Sequence, residues 1–149
     1  MAILGDGVKI GYCTTSPVSW TELVGLVDLP APPGPVAEML ENTTHGTSGY
    51  KTYGAGLKDV PDVTATFHFT GTAAQLAMIS AQAAGTVLWF RFEVPATAAK
   101  TTFRAWEMQA VVIAAPVATP IADWQTLTLT LKYSGNFAFY PDAAATAIT

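Results

Sequence analysis

Hydrophobic and polar residues alternate with a period of two along most of this chain, the pattern of strands with one buried and one open face. Val63, Ala65, Phe67 and Phe69 share one face of such a segment, and Thr64, Thr66, His68 and Thr70 the other. Val87 to Val94 repeats the pattern, setting Leu88, Phe90, Phe92 and Val94 against Trp89, Arg91 and Glu93. From Gln125 to Tyr133, Leu127, Leu129, Leu131 and Tyr133 point inward while Thr126, Thr128, Thr130 and Lys132 point out. Thr101 to Ile113 is a further strand, rich in β-formers, joined to its predecessor by the turn Pro95 to Lys100 and ended by Pro116 and Pro120. Val8 to Thr14, Glu22 to Leu29 and Val36 to Glu41 read as additional strands. Pro30, Pro32, Pro33, Gly34 and Pro35 make a stiff connector before the last of them.

One segment breaks the alternation. Thr72-Ala73-Ala74-Gln75 is a capping box, followed by Leu76, Ile79 and Ala83 at helical spacing and closed by Gly85. A single short helix is expected there, its apolar stripe covering an open face or end of the sheets. The stretch Asn42 to Gly56 carries Gly46, Gly49, Gly54 and Gly56 with Tyr50 and Tyr53, and shows no apolar periodicity. A long loop of this kind is uncommon in a small domain unless it is functional. Aromatic residues in a glycine-rich arm suit burial against a partner, so residues 42–60 are expected to form an assembly loop. Residues 1–7 read as an N-terminal arm and 141–149 as a C-terminal tail of one domain spanning 1–149.

Composition sharpens this picture. The chain has 149 residues, which fits one core, and half are hydrophobic while only 12% are charged. So few charges leave apolar groups at the surface, which favours burial against further copies or partners. The longest uncharged stretch, Val63 to Phe90, is interrupted by Thr, His, Gln and Gly and does not read as a membrane helix. MAILGDGVKI lacks the features of a secretory signal, so synthesis and assembly in the cytoplasm are expected. Cys13 is the sole cysteine, which removes an internal disulfide and a Cys/His zinc cluster from consideration. The net charge of −4 has the wrong sign for gripping a phosphate backbone.

Candidate chemistry is sparse. His68 with Asp62 could be imagined as a base and its orienting carboxylate, but one strand does not by itself bring the two side chains together. His45 lies in the loop, in a setting too different from that of His68 for a shared metal. Glu93 and Glu107, on outer faces of neighbouring strands, form the carboxylate pair that a glycosidase would need; solvated surface acids are the plainer reading. Trp20, Trp89, Trp106 and Trp124 could stack on a sugar, or serve as core and interface anchors. No Walker-type loop, dinucleotide fingerprint, nucleophile elbow or HExxH occurs, so no enzymatic activity and no cofactor are expected.

The order of segments resembles the tail tube proteins, or major tail proteins, of long-tailed phages in the lambda-like family. The resemblance covers nearly the whole chain. It is carried by Trp20-Thr21-Glu22-Leu23, by Tyr53-Gly54-Ala55-Gly56-Leu57-Lys58-Asp59 with the strand Asp62 to Phe69 after it, and by the capping-box helix. Arg91-Phe92, Thr102-Phe103-Arg104-Ala105-Trp106 and the closing strand Thr126 to Tyr133 complete the series. It implies a mainly β fold, a β-sandwich or partial barrel flanked by one short helix, with a long inter-subunit loop. It further implies a structural virion protein whose hexameric rings stack into a hollow tail tube through which phage DNA is ejected. Implied partners are further copies of the chain, a tape-measure protein, a tail terminator and distal tail or baseplate proteins, with DNA passing transiently and no membrane. The inter-subunit loop would involve Thr44, His45, Tyr50, Lys51, Tyr53, Lys58 and Asp59. Lumen-facing acids would come from Glu38, Glu41, Glu93 and Glu107, with solvated acids or subunit salt bridges as the other reading of each. A tail terminator, the tube of an injection machine, and a carbohydrate-binding β-sandwich stand as alternatives.

Overall fold

A computed structural model describes residues 7–15, 19–44, 49–143 and 148. Ten strands and one helix follow in the order β1 (Lys9–Cys13), β2 (Thr21–Glu22), β3 (Leu26–Asp28), β4 (Val36–Glu41), β5 (Tyr53–Asp59), β6 (Val63–His68), α1 (Ala73–Ala84), β7 (Val87–Pro95), β8 (Phe103–Ala114), β9 (Val117–Ala118) and β10 (Thr126–Ala143). Eight of the strands make one antiparallel sheet, in the order β2-β1-β7-β8-β10-β6-β3 with β9 beside β10. The sheet curls into a half barrel. The mainly β class and the single flanking helix are therefore as expected, with the barrel-like curl carried by one continuous layer. β4 and β5 form a separate two-stranded hairpin.

The core lies on the inward face of the curl. Phe67 of β6, Phe90 and Phe92 of β7, Met108 of β8 and Leu127, Leu129 and Leu131 of β10 are buried there, as the alternation expects. Helix α1 packs on β8 and closes this core with Ala74, Met78 and Ala81. That stripe differs in phase from the expected Leu76, Ile79 and Ala83; Leu76 is exposed and Ile79 only partly covered. The phase is set by Gln75, which is fully buried. Its Oε1 accepts from the backbone N–H of Thr70 (3.0 Å) and Gly71 (3.2 Å), and its Nε2 donates to the carbonyls of His68 (2.8 Å) and Val24 (3.2 Å). Gln75 thus fastens the helix start to the end of β6 and to the β2–β3 connection. Thr72 caps the helix as expected, its Oγ1 accepting from Gln75 N, and Gly85 ends it with φ of 67°.

Three further boundaries depart from expectation. Glu22 to Leu29 is split into β2 and β3 because Gly25 turns the chain at φ 90°, and its carbonyl accepts from His68 N at 2.8 Å. The last strand runs on to Ala143 through a bulge at Ser134 to Asn136, where Gly135 adopts φ 128°. Gln109 of β8 faces that bulge and accepts from Asn136 N at 3.0 Å. The expected C-terminal tail 141–149 accordingly begins inside a strand. Ile148 is buried and pairs in parallel with Trp20, both in a small second cluster with Cys13 and beside Trp89.

Candidate assembly surfaces

The expected loop 42–60 is in large part the β4–β5 hairpin. Tyr53 and Ala55 alternate with Gly54 and Gly56, so the strand period is present but is hidden where the glycines carry no side chains. A bulge opposite Glu38 shifts the register between Ala37↔Lys58 and Met39↔Ala55. Gly56 fits closely here: a Cβ would come within 3.2 Å of the Glu38 carbonyl and 3.1 Å of Leu40 Cδ1. Near its tip Asn42 N donates to Thr52 O, and Thr52 N to Thr43 Oγ1, each at 2.9 Å. At its root Val60 is buried and its N–H is held by Asp59 Oδ1.

Between root and tip the hairpin stands free. β4 and β5 pack chiefly against each other. Met39 and Tyr53 stand on one face, 62% and 53% exposed, and the bulge turns Leu57, 85% exposed, to the other. Of the residues expected in the inter-subunit loop, Thr44, Tyr50 and Lys51 lie near the tip and Tyr53, Lys58 and Asp59 on β5; His45 falls outside the described residues. Lys51 pairs with Glu41 at 3.5 Å across the exposed ribbon. Residues 1–6 of the expected N-terminal arm also fall outside the described residues.

The candidate lumen acids divide into two kinds. Glu38 and Glu41 are exposed on β4, away from the main sheet. Glu93 and Glu107 are 0% and 6% exposed, which corrects their placement on an open outer face. Both bond to Arg91: Arg91 Nε meets Glu93 Oε1 at 2.7 Å, and Arg91 Nη1 bonds Glu107 Oε1. Register sets Gly11, Arg91, Glu107 and Ala138 in one row across four strands. Ile148 lies over Gly11, where a Cβ would approach its side chain to 3.0 Å, and the Tyr140 ring sits 5.9 Å from the Arg91 guanidinium carbon. A second, partly polar layer therefore covers the sheet face behind the core.

The remaining candidates separate. Asp62 pairs with Lys132 at 3.6 Å, while His68, at the other end of β6, meets the edge of Trp124 with centroids 6.2 Å apart. Trp20 is buried, Trp106 stacks against Phe139 and Trp124 is exposed, so the tryptophans form no common platform. Among the described residues no group of His, Cys, Asp and Glu could hold a metal. No helix among them is long and apolar enough to cross a membrane. One surface had no signal in the alternation: among the described residues, β10 beyond Leu131 is paired only with β8, which leaves its other edge without a strand partner there as far as Ala143. Phe139 and Tyr140 are half exposed along that open stretch. Such an edge is a template for another chain.

No protein-family model and no curated protein matches the chain. Solved structures do. A chain from the sixfold-symmetric tail of an empty gene transfer agent particle aligns over 93% of this chain and 99% of its own, with TM-score 0.73 and 15% identity. The SPP1 tail tube aligns over 98% of this chain and 82% of its own, with TM-score 0.67 and 15% identity. A structure of the sheath/tube terminator of an extracellular contractile injection system gives TM-score 0.70 at 11% identity, over 94% and 97% of the two chains. The chain therefore shares its fold with these tail and tube-terminator structures over 93 to 98% of its length.

Proposed function

We propose that this chain is a structural virion protein that polymerises into a hollow tail tube, its hexameric rings stacking to form the conduit for DNA. The observation that carries the reading is the hairpin β4–β5, an apolar ribbon projecting from a closed core on a tail tube fold. A two-stranded hairpin is marginal on its own in water and gains stability when its apolar face is covered. The open edges at β2, β3 and the far half of β10 supply further sites for a second copy. Strand addition across such edges would close them, which protects the assembled tube from indiscriminate pairing.

The conduit must pass a polyanion without holding it. Net charge of −4 agrees with this, and the pairing of Arg91 with two acids keeps that cation from phosphates. Of the four candidate acids, Glu38 and Glu41 face solvent in the single chain, and they are the better candidates for a lumen or a subunit contact. A tape-measure protein, a tail terminator and distal tail or baseplate proteins are the proposed partners, with assembly in the host cytoplasm and residence in the virion tail. A terminator ring is the second reading, favoured by the equally complete match to a tube-terminator structure.

Sedimentation of the purified chain over a range of concentrations tests the proposal. A tube subunit is expected to give polydisperse polymer of high mass, and a terminator a single closed ring. A chain that stays monomeric at every concentration, with or without preformed tail tips as initiators, contradicts both.

A further inference from the structure

We propose that Ile148 is a latch that opens on its own, ahead of the rest of the fold, and uncovers the charged row beneath it. The buried residues fall into two clusters that share no member. The large one fills the inward face of the curl. The small one, Cys13, Trp20 and Ile148 with Trp89 beside it, lies on the opposite face of β1 and β7. Its seat is shaped for a side chain from far along the sequence. Gly11 leaves β1 bare there, and Ile148 Cγ1, Cγ2 and Cδ1 lie 3.0, 3.1 and 3.2 Å from where a Cβ would stand. The Ile148 backbone meets Trp20 in an isolated parallel bridge, outside the ladders that join the strands.

What lies under the latch favours its release. Two carboxylates share one guanidinium there, with Arg91, Glu93 and Glu107 at 8%, 0% and 6% exposure. Lys9 stands in register with Glu93. Withdrawing such a cluster from water costs free energy that the ion pairs return only in part, while burial of the isoleucine works the other way. Opening gives the ions water without separating them, because Arg91, Glu93 and Glu107 sit on β7 and β8, which stay paired. The closed state of the latch thus rests on a smaller free energy than the main core does, and the small cluster opens as a unit of its own. The chain then has two surface states on one fold, an apolar cover and a charged row.

Cys13 is the sole cysteine and 7% exposed under the latch, so it reports the opening. Its labelling by a small thiol reagent is followed in the dilute full-length chain as urea is raised. Local opening exposes little surface, so the rate is expected to stay nearly flat at low urea and to climb only where global unfolding takes over. Ile148→Asp is expected to raise the flat rate by about tenfold or more. Gly11→Val fills the seat with a residue that favours strands and is expected to do the same, each variant keeping the parent's helical circular-dichroism signal. A parent rate that rises steeply from zero urea, or parent-like labelling in either variant, overturns the latch. Neither result bears on self-assembly.

Discussion

Arg91 holds two carboxylates in a nearly closed site, and its removal would leave Glu93 and Glu107 side by side without the cation that holds them. Breaking a buried ion network by deleting one partner costs about 3–5 kcal/mol, whereas replacing the whole network with apolar groups of similar volume is often neutral. Arg91→Met is therefore expected to lower the urea midpoint strongly, and Arg91→Met with Glu93→Leu and Glu107→Leu to recover most of the loss. Equal losses in the single and triple variants would contradict that account. Gln75→Leu strands the N–H groups of Thr70 and Gly71 and the carbonyls of His68 and Val24. A cost of about 2 kcal/mol or more is expected in equilibrium unfolding. Strand alternation assigned Glu93 and Glu107 correctly to the face opposite Phe90 and Phe92. It could not reveal that this face is covered, because the cover includes Ile148 and Tyr140, distant in sequence. Gln75 was legible as a capping residue, while its reach to Val24 depends on tertiary placement.

Among the elements, β6, β7 and the first half of β10 were legible because their apolar positions recur at every second residue, and β8 through its wealth of β-formers. β5 was not, since Gly54 and Gly56 carry no side chains and glycine is depleted in strands. The far half of β10 was hidden by Ser134-Gly135-Asn136, which reads as a turn and is instead a bulge. That bulge depends on Gly135, whose φ of 128° a residue with a Cβ adopts only under strain and whose missing Cβ makes room for Gln109. Gly135→Ala is expected to cost about 1–3 kcal/mol. A second element-scale test concerns the chain end. Ile148→Ala removes the side chain over Gly11 and beside Trp20, and a loss of about 2–4 kcal/mol with red-shifted tryptophan emission is expected. An unchanged emission maximum and midpoint would mean that Ile148 does not seal the second cluster in solution.

At the scale of the whole molecule, the sparse charge and the lack of a catalytic set pointed toward assembly. The order of the segments pointed toward a tail tube, and the fold agrees with the two tail structures over 93% and 98% of the chain. The surfaces offered to other copies were not legible in the sequence, because they depend on shape: a ribbon that projects and a sheet edge left open by a strand that outruns its partner. A passive conduit also predicts that assembled tubes retain no duplex DNA at moderate salt; tight binding that weakens steeply with added salt would mark an electropositive channel instead. The central claim, that copies of this chain build a hollow tube through their exposed hairpins, is tested most directly by electron cryomicroscopy of the concentrated purified chain. The expected result is a hollow filament of stacked sixfold rings in which each hairpin leaves its own subunit and lies against a neighbour. Filaments without a lumen, or rings whose hairpins remain free in solvent, would contradict it.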